Sequence, residues 1–219
     1  MQSYTLLSIQ VGKPQVYRED AGQDEKESTW MSGIYKAPVQ GPIWVGKLNL
    51  DDDGQADLRY HGGVDRPILG YSADYYPQWQ SELGIPLEHG AFGENFTMAG
   101  LCEDTVCIGD VYRLGPVLVQ VSQPRKPCWK LSRRHGIPGL AASAEKTGRT
   151  GWYMRVLQEG FVEAGMELVL QERPYPEWTV TKAHEVARER KKNPEAARAL
   201  GQCPYLSADW KEMLLEAGQ

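Results

Sequence analysis

The sequence predicts a mainly β chain with α-helices: a β-barrel carrying inserted helices, followed by a small C-terminal helical bundle. Short β-rich runs bounded by Gly, Pro and Asp fill most of the chain. They include YTLLSIQVG (4–12), GPIWVGKLNL (41–50), RPILGYS (66–72), DVYRLGPVLVQVSQP (110–124) and GMELVLQERP (165–174). Turn chemistry such as DDDG, HGG, IGD and EAG separates such runs. Many short strands with few intervening helices favour a barrel over a doubly wound sheet.

Two helices are expected inside the strand region. Ser72 caps a stretch through Leu83 that carries Tyr75, Tyr76, Trp79 and Leu83 on one face, with Gly84 just beyond. The other runs from about Pro138 to Lys146 and stops at Gly148. After RPYPEW the texture changes. Thr179 caps a charged helix to about Lys192, Asn193-Pro194 starts another with proline at its first position, and Ser207 begins a third with Trp210, Met213, Leu214 and Leu215. The division is a barrel with inserted helices over 1–175 and a three-helix appendage over 176–219. Three short helices bury too little surface to stand alone, so they are expected to dock on the barrel or on a partner.

The 219 residues carry 24 Lys and Arg against 29 Asp and Glu, a formal net charge of −5, with pI near 5.5 and a mean hydropathy of −0.50. That balance gives no general attraction to nucleic acid, and no apolar run reaches the ~18 residues of a spanning helix. The first residues lack the pattern of a secretion signal, and four cysteines make no disulfide framework. A reducing cytoplasm is expected, where the sequon Asn95-Phe96-Thr97 has no role. Asp51, Asp53, Gln55 and Asp57 alternate like the start of a calcium loop, but Ala56 and Gly62 replace the required glycine and glutamate. A solvated turn is the expectation there. Cys102, Cys107 and Cys203 read as small buried hydrophobes.

One segment stands out against the acidic total. VSQPRKPCWKLSRR (121–134) places Cys128 among Arg125, Lys126, Lys130, Arg133 and Arg134, with no acid. Fixed cations favour the thiolate, which is both a nucleophile and a soft metal ligand. Pro124 and Pro127 stiffen the mount, and some of the cations suit a phosphate. The plain alternative is a buried cysteine on a strand beside solvated cations.

With VSQPRKPCWKL, HGGVDRPILGY (61–71), FGENFT (92–97) and GRTGWYMRVLQEG (148–160) standing in this order, the chain resembles the MOSC-domain proteins, in the YiiM-type branch of hydroxylaminopurine-resistance proteins. VGKPQ near the start, GIYKAPVQGPIWV and the helical tail extend the likeness over nearly the whole chain. Phe96 stands where relatives often carry leucine, and Pro67 where alanine is expected. The resemblance implies a MOSC-type β-barrel that binds the molybdenum cofactor (molybdopterin), with Cys128 as the ligand to the metal. It also implies a two-electron reductase of N-hydroxylated compounds such as 6-N-hydroxylaminopurine, and its habit suggests a homodimer. The cofactor is a pterin dithiolene with a terminal phosphate, and a basic pocket on an acidic protein suits it.

On that basis His61 is a candidate proton donor, its free pKa being near neutrality. Arg66 is assigned either to phosphate or to an ion pair with Asp65 or another acid, and Asn95 to a pterin edge. Arg149, read as lying just before a helix, is assigned to phosphate along with Arg125, Lys130 and Arg133. No flavin or iron–sulfur signature is present, so a separate electron-donating reductase is expected. Three rival readings stand beside it: a sulfur carrier or cofactor-delivery protein, with Cys128 holding a persulfide or ligand without turnover; a metal-free thiol enzyme with Cys128 as nucleophile; and a phosphate-binding module without catalysis.

Overall fold

The computed structural model describes residues 3–18 and 29–216. The described chain opens with β1 (Ser3–Val11), β2 (Gln15–Arg18), β3 (Thr29–Ser32), β4 (Ala37–Pro38) and β5 (Ile43–Val45), and a single turn of helix, α1 (Leu58–His61), follows. Next come β6 (Ile68–Ser72), α2 (Tyr76–Leu83), β7 (Phe96–Ala99) and the hairpin of β8 (Val111–Leu114) with β9 (Val117–Pro124). Two helices, α3 (Trp129–His135) and α4 (Leu140–Thr147), precede β10 (Trp152–Gln158), β11 (Gly160–Val162) and β12 (Glu167–Glu172). The chain then runs through α5 (Val180–Glu189), α6 (Pro194–Gly201) and α7 (Ala208–Glu216).

Seven strands close into a barrel in the order β12-β8-β9-β10-β6-β7-β1, with β1 pairing back to β12. The alternation of the sequence drives the closure. Val117, Val119 and Val121 on β9 and Trp152, Met154 and Val156 on β10 all enter one buried apolar cluster at period two. Large side chains need small neighbours inside so narrow a barrel. Gly70 stands opposite Trp152, and a Cβ there would come within 2.6 Å of the Met98 methyl. The pair β6–β7 is parallel, so its crossover must leave the sheet, and α2 occupies that crossover.

The helix signals at Ser72, Gly84, Gly148, Thr179 and Asn193 act as read. Ser72 accepts from the Asp74 amide at the start of a short 3₁₀ turn that leads into α2, and Gly84 and Gly148 take the left-handed conformation past α2 and α4. Thr179 accepts from the Lys182 amide and Asn193 from the Ala196 amide. Three expectations need correction. Among the described residues the strand region contains four α-helices rather than two, because α1 and α3 lie in segments rich in turn residues or cations that carry no apolar period. The run 41–50 supplies only a three-residue strand, and α5 ends at Glu189. The C-terminal helices add Val180, Ala183, Ala197, Leu200 and Leu214 to the same buried cluster as the barrel. None of the helices among the described residues is long and apolar enough to cross a membrane.

Register brings the site segments together. Pro124 pairs with Trp152, Trp152 with Gly70, Gly70 with Phe96, and Phe96 with Ile9. Trp152, Phe96 and Ile9 point into the barrel core, and Arg125, Tyr153, Leu69 and Asn95, each one residue away along the chain, line one pocket against this stretch of wall.

Candidate functional site

Against that wall a solvent-open pocket of about 630 Å³ is lined by Cys128, His61, Arg66, Asn95, Arg125 and Lys130, six of the eight residues singled out from sequence. Cys128 does not continue the strand. The chain leaves β9 at Pro124, and Cys128, with extended backbone (φ −102°, ψ 163°), takes the N-cap position of α3. Its side chain makes no capping hydrogen bond, and it is half-buried in the pocket wall. The alternative of a buried cysteine on a strand is therefore excluded.

Among the described residues the lining carries five cations, Lys36, Arg66, Arg125, Lys126 and Lys130, and no carboxylate. Lys36 is ion-paired with Asp53, and Arg66 with Asp209 of α7 at 2.7 Å. Among the described residues Arg125, Lys126 and Lys130 have no acidic partner. Arg125 donates to the Thr150 carbonyl at 3.3 Å, and Lys130 to the Met31 carbonyl at 2.8 Å. Three cations in one hollow, without counter-charge among the described residues, suit an anion.

Arg66 proves to be a brace. Its guanidinium donates to the carbonyls of Gly62 (3.0 Å) and Arg59 (3.4 Å) besides pairing with Asp209, which fixes the turn that carries His61. Asp65 pairs with Arg155 and accepts from the Ala208 amide, so α7 supports this wall from behind. Asn95 is equally committed. Its Oδ1 accepts from the Leu69 amide, and its Nδ2 donates to the Gln10 carbonyl and to Asp53. Both amide hydrogens are spent inside the protein, leaving one lone pair of Oδ1 for a ligand.

His61 is 3.4 Å from the Tyr153 hydroxyl through Nδ1. Burial, with Arg125, Lys130 and Arg66 close by, lowers its pKa from 6.5 to about 4. The expectation of a histidine titrating near neutrality is corrected. With that pKa His61 is a neutral imidazole at pH 7.

Arg133 and Arg149 lie outside the pocket lining. Arg133, one turn along α3 from Lys130, lies over the rings of Trp30 and Trp129 at 5.7 and 5.3 Å. Arg149 precedes strand β10, not a helix. It is buried with its guanidinium 3.7 Å from the Trp79 ring centroid and paired with Glu82 at 2.8 Å. The turn 51–57 is also corrected. Asp52 takes a left-handed conformation (φ 58°), and the Asp53 side chain has no exposure, accepting from the Gly12 amide and Asn95 at 2.9 Å each. Sequence reasoning missed Lys36, Asp53 and Tyr153 as members of the site or its support. A lysine isolated among apolar residues in GIYKAPV was the available signal for the first.

The arrangement defines a class: a closed β-barrel with a thiol against its wall, inside a cationic pocket that among the described residues holds no carboxylate. The chain belongs to the MOSC family, since residues 57–169 match the MOSC domain model. It is 40% identical over 98% of its length to "Uncharacterized protein YflK" of Bacillus subtilis (strain 168), covering 95% of that protein. It is 41% identical over 73% of its length to a protein named "Reductase" of Gibberella moniliformis, of which it spans 29%. The crystal structure of YiiM from Geobacillus stearothermophilus superposes with a TM-score of 0.82 at 36% identity, covering 99% of this chain and all of that one. This is a YiiM-type MOSC protein, and the family fits a molybdenum-cofactor-associated function.

Proposed function

We propose that this protein is a molybdenum-cofactor-dependent reductase that converts N-hydroxylated compounds, of the 6-N-hydroxylaminopurine type, to amines. The observation that carries the reading is the half-buried Cys128 thiol in a pocket lined by cations and, among the described residues, by no carboxylate. The residues fit the cofactor on chemical grounds. A soft sulfur suits molybdenum, and Arg125, Lys126 and Lys130 suit a terminal phosphate. Cys128 Sγ would ligate the metal, and the bound cofactor would supply two-electron redox chemistry.

The net reaction is R–NH–OH + 2 e⁻ + 2 H⁺ → R–NH₂ + H₂O. The chain's own share is to hold the anion, to brace the wall through Arg66 and Asn95, and to bring protons to the breaking N–O bond. The electrons come from a separate reductase, and the similarity to a protein named "Reductase" supports an oxidoreductase role.

The test is metal analysis of wild type and Cys128→Ser made in a host competent for cofactor synthesis, with 6-N-hydroxylaminopurine and a viologen donor for turnover. Stoichiometric molybdenum and turnover in the wild type, both lost in Cys128→Ser, are expected. No metal in either protein discards the reading, and a persulfide on Cys128 without molybdenum replaces it with sulfur carriage.

A further inference from the structure

The pocket contains a buried cation for which anchoring a phosphate gives no role. Lys36 lies in the short segment between β3 and β4, and its side chain is only 6% exposed. Its Nζ is paired with Asp53, whose side chain has no exposure at all. Asp53 is itself fixed by the Gly12 amide and by Asn95, so the pair has a set position. An ammonium carries three hydrogens, and Asp53 takes one. Among the described residues no acceptor takes either of the others, on a side chain that lines the pocket. A buried ion pair is at best a weak stabiliser, because two charges must leave water. Such a pair at a pocket wall calls for a functional account.

We propose that Lys36 donates the proton that turns the departing hydroxyl of the N-hydroxylated substrate into water, with Asp53 as its positioning residue. This rests on the reductase reading. Breaking the N–O bond takes two electrons, which the external donor would supply and the cofactor, when bound, would pass on. The Lys36 ammonium gives one proton to the oxygen, which leaves as water. The nitrogen takes the second proton from solvent, and the neutral Lys36 amine recovers its own through the open pocket mouth.

The neighbouring groups favour this assignment. His61 carries no proton to give at neutral pH, with its pKa lowered to about 4. Burial raises the Tyr153 phenol, which weakens it as an acid. Lys130 is engaged by the Met31 carbonyl. Burial lowers the pKa of Lys36, as does Arg134, while Asp53 and Glu94 raise it, and burial prevails. The direction is that of a lysine able to release its proton.

Lys36→Arg and Lys36→Ala separate proton donation from charge. Arginine keeps the cation but does not release a proton. Both variants are expected to retain molybdenum at the wild-type ratio, with kcat down about 100-fold or more and KM nearly unchanged. Methylamine should restore part of the Lys36→Ala rate. Full kcat in Lys36→Arg overturns the proposal, as does failure of every added amine to rescue Lys36→Ala. Loss of molybdenum from both variants overturns it too, since Lys36 then holds the cofactor. A molybdenum-loaded wild type without turnover rejects the reductase reading, and this inference with it.

Discussion

Removing Asp53 tests whether the floor of the pocket is the charged network described. In Asp53→Ala the Lys36 ammonium, 6% exposed, loses its counter-ion, and the Gly12 amide and one Asn95 amide hydrogen lose their acceptor. An uncompensated buried charge costs about 3–5 kcal/mol. An unsatisfied buried donor adds about 1–3 kcal/mol, though Asn95 keeps its bond to the Gln10 carbonyl. Because Lys36 can shed its proton once Asp53 is gone, the charge contribution is capped, and a total of about 4 kcal/mol is expected. That is a large part of the ~5–15 kcal/mol that holds a domain folded. Urea unfolding of the cofactor-free protein at pH 7, followed by circular dichroism, measures it. Lys36→Met/Asp53→Ala should lose less than the sum of the single variants, with a coupling of about 2–3 kcal/mol. Strict additivity, or an Asp53→Ala protein within about 1 kcal/mol of wild type, would refute the buried pair.

Two further expectations concern pH and backbone space. With a folded pKa of about 4 against 6.5 when free, His61 binds its proton in the unfolded chain first. Stability is therefore complete above about pH 6.5 and falls as pH drops toward 4, by up to about 3 kcal/mol from this residue. His135 and His184, also lowered by burial, act in the same direction. His61→Gln should flatten the slope of urea stability across that window; an unchanged slope rejects the buried neutral imidazole. Gly151 has φ +80° and would place a Cβ 2.4 Å from the Gly70 carbonyl, while its own carbonyl accepts from the Arg125 amide. Gly151→Ala should lower stability by about 3 kcal/mol or more and disturb Arg125, against about 1 kcal/mol for Gly136→Ala, which has φ +62° and open space. Equal melting temperatures for the two variants would contradict the close approach.

Much was legible locally. Capping residues, glycine stops and period-two valines are short-range signals, so β9, α2, α5 and α6 could be read from a few neighbouring residues. Helix α3 could not. WKLSRRH buries only Leu131 and carries its cations all round, so no apolar stripe announces it. The same helical turn decides which cations face the thiol: Lys130 lines the pocket and Arg133 lies over tryptophan rings. His61 was read by its free pKa, and desolvation, with Arg125 and Lys130 brought close from far along the chain, overrode it.

By itself the sequence determined the mainly β architecture, the capped helices and a thiol set among cations, because each rests on residues near one another in the chain. Tertiary structure decided which charges remain uncompensated. Asp209 reaches Arg66 across 143 positions and Asp53 reaches Lys36 across 17, while Arg125, Lys126 and Lys130 gain no acid among the described residues. Counter-charge is a property of distance in space, and only closure of the barrel and docking of the last helix set those distances.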